Sequence, residues 1–262
     1  MTETLRDFVA ELHVHTVLSP CADVEMIPPL IVQAALRKGI QILAITDHNA
    51  TANVKSVQKA AKGTGLVVLP GMEMQTQEEV HMLCLFDTLE QLETWQGIIN
   101  IHLPALENTP EYFGEQFVVD ETGDFICRED RLLITSSRLS LDEAFVKVID
   151  LGGLAIPAHV DREAFGLFAN LGFVPPELPI DALEISNRIT IEKAQNKYPI
   201  LEKYALIKSG DVHYLNDFLG ANHFHIFRPT IDELRKAFHR EGGRFITIEE
   251  KKREVRDITL TV

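Results

Sequence analysis

Cysteine is scarce in this chain. Cys21, Cys84 and Cys127 are odd in number and widely spaced, which argues against a disulfide framework and for a reducing, cytoplasmic setting. No apolar run approaches the roughly 20 residues that span a bilayer, so no membrane segment is expected. Residues 1–7 lack the basic-then-apolar pattern of a secretory signal. Positive charge is also short: 25 Lys and Arg stand against 39 Asp and Glu, for a net charge of −14. Such a surface repels long polyanions and disfavours stable binding of duplex nucleic acid. A small phosphorylated substrate or an oligonucleotide end stays open. There is no Gly-x-Ser-x-Gly string and no glycine-rich phosphate loop to suggest a serine nucleophile or a P-loop site. No internal repeat or low-complexity linker divides the chain, and 262 residues suit a single α/β domain with a substantial core.

What is present is a rhythm of short apolar and amphipathic segments. Residues 8–15 read as a strand, with Phe8, Ala10, Leu12 and Val14 on one face and Val9, Glu11, His13 and His15 on the other. Residues 28–38 read as a helix, opened by prolines and closed by Gly39. A buried strand at 41–46, a helix at 54–62, a strand at 66–69 running into Pro70 and a strand at 81–86 follow. The rhythm breaks between residues 87 and 138, read as an insertion or cap whose residues 115–127 form a hairpin turning at Thr122-Gly123. It resumes at Ser140-Leu141-Asp142-Glu143, a capping box opening a helix that stops at Gly152-Gly153. Strands are expected at 154–156, 182–185, 206–207 and around 223–227, and a second capping box at 230–233 opens a C-terminal helix. Strands alternating with helices imply a largely parallel sheet, open or closed.

Several of these segments end in imidazoles and carboxylates where turn residues are usual. They are His13-Val14-His15, Thr46-Asp47-His48, Gly71-Met72-Glu73 and Asp211-Val212-His213, with His81 opening one strand and His159 closing another. Residues two apart on a strand point the same way, about 6–7 Å apart, and can converge on metal ions. The two oxygens of Glu73 suit a bridge between cations. Asp47 is read as orienting its neighbour His48, with helix capping as the alternative. His102, His239 and the second His-x-His pair, His223 and His225, are read as structural or rim residues. Polar groups at the ends of nearly every strand favour a closed barrel, whose site gathers on one rim, over an open sheet with a single crevice. Arg162 and Arg188 each follow a strand end, and guanidinium suits phosphate; Asn187 is a further candidate for the pocket.

The strings His-x-His-Thr at 13–16, Ile-Thr-Asp-His-Asn at 45–49, Gly-x-Glu at 71–73, Pro-Ala-His at 157–159 and Gly-Asp-x-His at 210–213 come in that order. As a set they resemble the PHP (polymerase and histidinol phosphatase) family over about residues 8–227, least over 87–138. The resemblance implies a distorted (β/α)7 TIM-like barrel, up to three divalent metal ions and phosphoester hydrolysis. It implies metal ligands at His13, His15, His48, Glu73, His81, His159, Asp211 and His213, with Glu73, His48 and Asp211 at the catalytic centre. Family members often carry a metal-binding Asp in Ser-Asp-Gly shortly after His-x-His-Thr. Here the loop reads Ser19-Pro20-Cys21-Ala22-Asp23, and Asp23 is taken as the replacement, with Glu25 and then Cys21 behind it. Small phosphatases and nucleases of the family often have an arginine shortly after the equivalent of His159, which favours Arg162. Mixed imidazole and carboxylate ligation fits Mn, Fe or Zn better than Ca or Mg.

The expected function is a metal-dependent phosphoesterase hydrolysing a small phosphorylated metabolite or nucleotide, a phosphomonoester, through a metal-bridging hydroxide. The alternatives are a nuclease acting on oligonucleotide ends, an amidohydrolase-like C–N hydrolase, and a non-catalytic metal-binding module. The C–N hydrolase reading lacks a well-placed strand-borne lysine.

Overall fold

The computed structural model describes residues 4–250. The strands are β1 (Arg6–Val14), β2 (Ile42–Ile45), β3 (Val67–Gln75), β4 (His81–Leu85), β5 (Phe117–Val119), β6 (Phe125–Arg128), β7 (Leu154–Pro157), β8 (Ala182–Ile185), β9 (Ala205–Lys208), β10 (Asn222–Ile226) and β11 (Phe245–Ile248). The helices are α1 (Pro28–Arg37), α2 (Val54–Ala60), α3 (Leu89–His102), α4 (Pro110–Phe113), α5 (Leu141–Asp150), α6 (Leu167–Asn170), α7 (Ile191–Lys197) and α8 (Ile231–Phe238). None of them is long and apolar enough to cross a membrane.

A seven-stranded sheet runs β11-β10-β1-β2-β3-β4-β7. Only β1-β2 and β2-β3 are parallel; the other four pairs are antiparallel. The sheet is therefore mixed, a correction to the largely parallel one that the alternation implies. Between β3 and β4 the cause is local. Residues 76–80 are too few for a helical crossover, so the two strands must form a hairpin. β8 and β9 pair in parallel beside β7, and Val212, just past β9, bridges in parallel to Val14 at the end of β1. The two ends of the strand series thus approach one another.

Packing shows the same curl. Leu12 of β1, Ala44 of β2, Leu83 of β4, Ile156 of β7, Ala182 of β8, Ile207 of β9 and Phe224 of β10 belong to one buried apolar cluster. Strands this far apart in sheet order share an inner core only when the sheet wraps on itself. Ile231, Leu234 and Phe238 of α8 pack into that cluster. A second layer, with Trp95, Phe145 and Val57, lies between the strands and the other helices.

The face assignment of β1 changes along the strand. Phe8, Ala10 and Leu12 join the inner core, but Val14 joins the outer layer. From Glu11 to Val14 the strand takes three steps while β2 takes two, from Leu43 to Ile45. The extra residue is a bulge, and a bulge reverses the alternation beyond it. β3 is also longer than expected. It passes through Pro70 and Gly71 to Gln75, so Glu73 sits within a strand and not at its end. A side chain at Gly71 would meet the Ile45 carbonyl at 2.8 Å, which is why glycine stands where β3 turns from β2 towards β4.

Ser140 and Glu143 make the reciprocal cap at α5. At α8 only half of the cap forms: Thr230 accepts from the Glu233 N–H, while the Glu233 carboxylate takes the Phe227 N–H and pairs with Arg244 at 2.8 Å. Within residues 87–138, α3 buries Leu92, Trp95 and Ile99 in the outer layer. The β5-β6 hairpin is tied down by Asn53, whose amide donates to the Phe117 carbonyl and accepts from the Val119 N–H, both at 2.9 Å.

Candidate metal centre

Glu73 is fully buried and is the hub of the site. Its Oε1 lies 3.2 Å from His13 Nε2, 2.8 Å from His81 Nδ1 and 3.1 Å from His159 Nε2. Its Oε2 lies 3.0 Å from His48 Nδ1 and 3.3 Å from His15 Nε2. Asp211 Oδ1 approaches the same two ring nitrogens from the other side, 3.2 Å from His13 and 3.4 Å from His15. Three overlapping groups can hold a metal ion: His13, His15, Glu73 and Asp211; His48, Glu73 and His81; and His15, His48 and His213. The first two share Glu73, and all three are linked through His15 or His48. His159 reaches the cluster through Glu73. Sequence reasoning thus names residues from both ends of the chain that the fold brings within a few ångströms.

The bulge in β1 places His13 and His15 beside Glu73 of β3. His159 and Asp211 sit at φ 29° and φ 50°, left-handed conformations uncommon outside glycine. Such strain concentrates where a side chain must be aimed.

The imidazole orientations are set from behind. His13 Nδ1–H donates to Glu184 at 3.0 Å. His213 Nδ1–H donates to the Asp211 carbonyl at 2.9 Å. Ser19 Oγ gives its only proton to Asp47 Oδ1 at 2.7 Å, so it can only accept from His15 Nδ1–H at 2.9 Å. In each case Nδ1 holds the proton and Nε2 turns to the cluster, the arrangement that metal-binding histidines need. Asp47 therefore acts on His15 through Ser19, a correction to its expected action on His48; the His48 backbone N–H also donates to Ser19 Oγ, at 3.2 Å. Glu184, in the middle of apolar β8, was missed by sequence reasoning. A charged residue inside Ala182-Leu183-Glu184-Ile185 is the signal that could have found it. Glu11 was missed too. Fully buried in β1, it accepts from the N–H groups of Gly210, Leu219 and Gly220 and so anchors the loop that carries Asp211 and His213.

Burial disfavours charge throughout the cluster, but pairing outweighs it for most members. Burial lowers the pKa of His13, yet Glu73, Glu184 and Asp211 together raise it well above the usual value. His15 and His48 are burdened in the same way by burial and still rise to about 8 and about 9, chiefly through Glu73 and, for His15, Asp211. Glu73 is pushed up by burial but held well below the carboxylate range by His81, His13 and His48. For His81 and His213 burial wins, and they fall to about 4 and about 3. Burial without a cation raises Glu11 to about 7 despite its three backbone donors.

The buried atoms His13 Nε2, His15 Nε2 and Glu73 Oε2 have neighbours at 3.0–3.4 Å but satisfy hydrogen-bond geometry with none. Convergent, unsatisfied nitrogen and oxygen donors fit divalent cations. The residues that would hold them are those of the three groups above.

Two expected site residues are not brought to this point. Asp23 Oδ1 caps its own loop, accepting from the Glu25 N–H at 2.9 Å. The residue of that loop that reaches the cluster is Cys21, whose Sγ lies 3.1 Å from His213 Nε2. Asn187 donates to the Gly210 carbonyl at 2.8 Å, so it braces the Asp211 loop and does not line the cavity. Arg162 and Arg188 do line it, together with Lys197 of α7. The cavity is about 620 Å³ and opens directly on His48, Glu73, His81 and Asp211. Arg162 reaches across it to Asp211 Oδ2 at 2.7 Å. Phe165 stacks on His81, ring centroids 4.5 Å apart, and forms an apolar wall. No residue of 87–138 lines this cavity. His223 and His225 point elsewhere, to Glu249 and Asp7.

A family model described as the PHP domain matches residues 11–162, more than half of the 262 residues. Among solved structures, a lesion-specific endonuclease from Pyrococcus furiosus superposes with a TM-score of 0.68 at 22% identity, over 92% of this chain and 58% of its own. The chain thus spans little more than half the length of that endonuclease. A protein from Bifidobacterium adolescentis assigned as a metal-dependent phosphoesterase gives a TM-score of 0.53 at 19% identity, over 78% of this chain and 87% of its own. An uncharacterized protein of Streptococcus pneumoniae serotype 4 is 31% identical over 75 residues, 25% of this chain and 28% of the relative.

Proposed function

Since the chain belongs to the PHP domain family, we propose that it is a metal-dependent phosphoesterase acting on a small phosphorylated substrate, a phosphomonoester. The carrying observation is that the buried ligand cluster opens into the same cavity as Arg162, Arg188 and Lys197. The cluster would hold divalent ions, Mn, Fe or Zn by its mixed donors, which when bound would supply Lewis-acid polarisation and an acidified water. The protein's own groups do the rest. Arg162, poised on Asp211, can turn its guanidinium to a phosphoryl oxygen, while Arg188 and Lys197 add charge against the developing negative oxygens. Phe165 and the buried walls shield one side from water. Glu184 orients His13, and Ser19 with Asp47 orients His15. The −14 charge supports a small substrate over a long polyanion.

The second reading is cleavage of a phosphodiester in nucleic acid, supported by the fold shared with a lesion-specific endonuclease over 92% of this chain. A C–N hydrolase is disfavoured: the strand-borne Lys208 donates to the Ile189 carbonyl at 2.6 Å and pairs with Glu250 at 2.7 Å, away from the cluster. The test is a side-by-side assay with Mn²⁺ on p-nitrophenyl phosphate and nucleoside monophosphates, on bis-p-nitrophenyl phosphate, and on duplex oligonucleotides with and without an abasic site. Faster turnover of monoesters, abolished by a chelator and restored by Mn²⁺, is expected. Nicking of the damaged duplex with inert monoesters would transfer the assignment to the second reading.

A further inference from the structure

We propose that Cys21 is a metal ligand, completing with His15, His48 and His213 a thiolate-containing site at the outer edge of the cluster, where the sequence pattern assigns a carboxylate. The inference rests on the metal-centre reading above and concerns one donor within it.

The ring nitrogens of His15, His48 and His213 already lie within 4.8 Å of one another. His15 Nε2 is fully buried and has no hydrogen-bond partner. Cys21 Sγ stands 3.1 Å from His213 Nε2. Because His213 Nδ1 holds its proton against the Asp211 carbonyl, its Nε2 lone pair faces the sulfur. Zinc–sulfur and zinc–nitrogen bonds of about 2.3 and 2.0–2.1 Å place two such donors roughly 3.5 Å apart in a tetrahedron. The spacing seen needs only a small opening to admit an ion.

The loop has little freedom to present another residue. The Asp23 N–H donates to the His213 carbonyl at 2.9 Å, and the Ala22 N–H to the Ser19 carbonyl at 2.9 Å. The Pro20 carbonyl packs against Gly114 too closely for any side chain there. With the backbone pinned, Cys21 faces the imidazoles and the Asp23 carboxylate faces Glu25. On binding, the thiol proton leaves to solvent and a sulfur lone pair goes to the ion, with no change of oxidation state. Three imidazoles and a thiolate favour Zn²⁺, Co²⁺ or Fe²⁺ over Mg²⁺, Ca²⁺ or Mn²⁺. The outer site would therefore differ in metal preference from the oxygen-rich group of His13, His15, Glu73 and Asp211.

The test uses the full chain, stripped and titrated with Co²⁺. A near-ultraviolet thiolate-to-cobalt charge-transfer band is expected, and Cys21→Ser and Cys21→Asp should lose it while still binding cobalt elsewhere in the cluster. Cobalt binding to the wild type without that band would overturn the Cys21 assignment and leave the metal centre standing. Failure to bind any cobalt would overturn the metal centre itself. A second readout needs no variant: iodoacetamide labelling with and without Zn²⁺, read by peptide mass spectrometry. Cys21 and Cys127 are both exposed, and Cys127 on β6 serves as the internal control. Zn²⁺ should protect Cys21 at least tenfold and leave Cys127 unchanged; equal labelling of Cys21 in both states also overturns the assignment.

Discussion

At the scale of single residues, His13, His15 and His213 commit their Nδ1 protons so that Nε2 faces the cluster, while His48 and His81 turn Nδ1 to Glu73. Glu184 is a buried anchor, holding His13 and also accepting the His159 N–H at 3.1 Å. Glu184→Gln keeps the shape and removes one of the charges that, after Glu73, make His13 basic. It should weaken metal binding roughly 10–100-fold with an unchanged circular dichroism spectrum, read by chelator competition. The pKa pattern yields a second prediction. Without metal, His15 and His48 titrate near 8 and 9, and His13 higher than usual, because nearby carboxylates overcome burial. At pH 7 these rings carry protons that a cation must displace. Metal loading at pH 7 should release protons into a weak indicator buffer, and affinity should climb until about pH 9. Binding without proton release would contradict this. The sign for stability follows. These raised values contribute stability present below the unfolded value of about 6.5 and lost as pH rises through 8 to 9, so the metal-free protein should weaken across that window.

At the scale of elements, alternation and punctuation made most strands and helices readable. Residues 182–185 and the Ser140 cap appear where the pattern put them. Three features were hidden for physical reasons. The bulge in β1 is a register event with the partner strand, invisible in a single segment. The continuation of β3 past Pro70 depends on Gly71 touching the Ile45 carbonyl, a contact made only after folding. β11 (Phe245–Ile248) alternates exposed and half-buried residues at a sheet edge, which weakens its apolar signal. Gly71→Ala should cost about 1–3 kcal/mol through overpacking, measured as a lower urea midpoint with unchanged slope. Ser140→Ala, which removes one cap and nothing from the cluster, should cost about 1 kcal/mol and leave metal binding alone.

At the scale of the whole molecule, the candidate ligands join β1, β2, β3, β4, β7 and the segment after β9, so a bound metal would couple most of the curled sheet. Ligands that bind only the folded state stabilise it by about 2.7 kcal/mol at 100 times Kd. Stripping the metal should therefore lower the melting temperature by roughly 5–10 °C, and re-addition should restore it. The family match ends at residue 162, yet Asp211 and His213 beyond it close the cluster, and the Val14–Val212 bridge carries them there. Glu73→Gln should lower both metal content and turnover on any phosphoester, because it strips charge from the two groups that share that carboxylate; unaltered metal content in this variant would remove Glu73 from its central place.

By itself, the chain's order of residues determined the chemistry: imidazoles and carboxylates at strand ends, scarce thiols, a surplus of negative charge and the strand–helix rhythm. These are local properties, carried by residue type and spacing. Only the tertiary structure decided which loop residue meets the histidines, Cys21 in place of Asp23, and which buried acids, Glu184 and Glu11, hold the ligands from behind. Those choices depend on backbone hydrogen bonds and packing between segments nearly two hundred residues apart, which no single stretch of sequence contains.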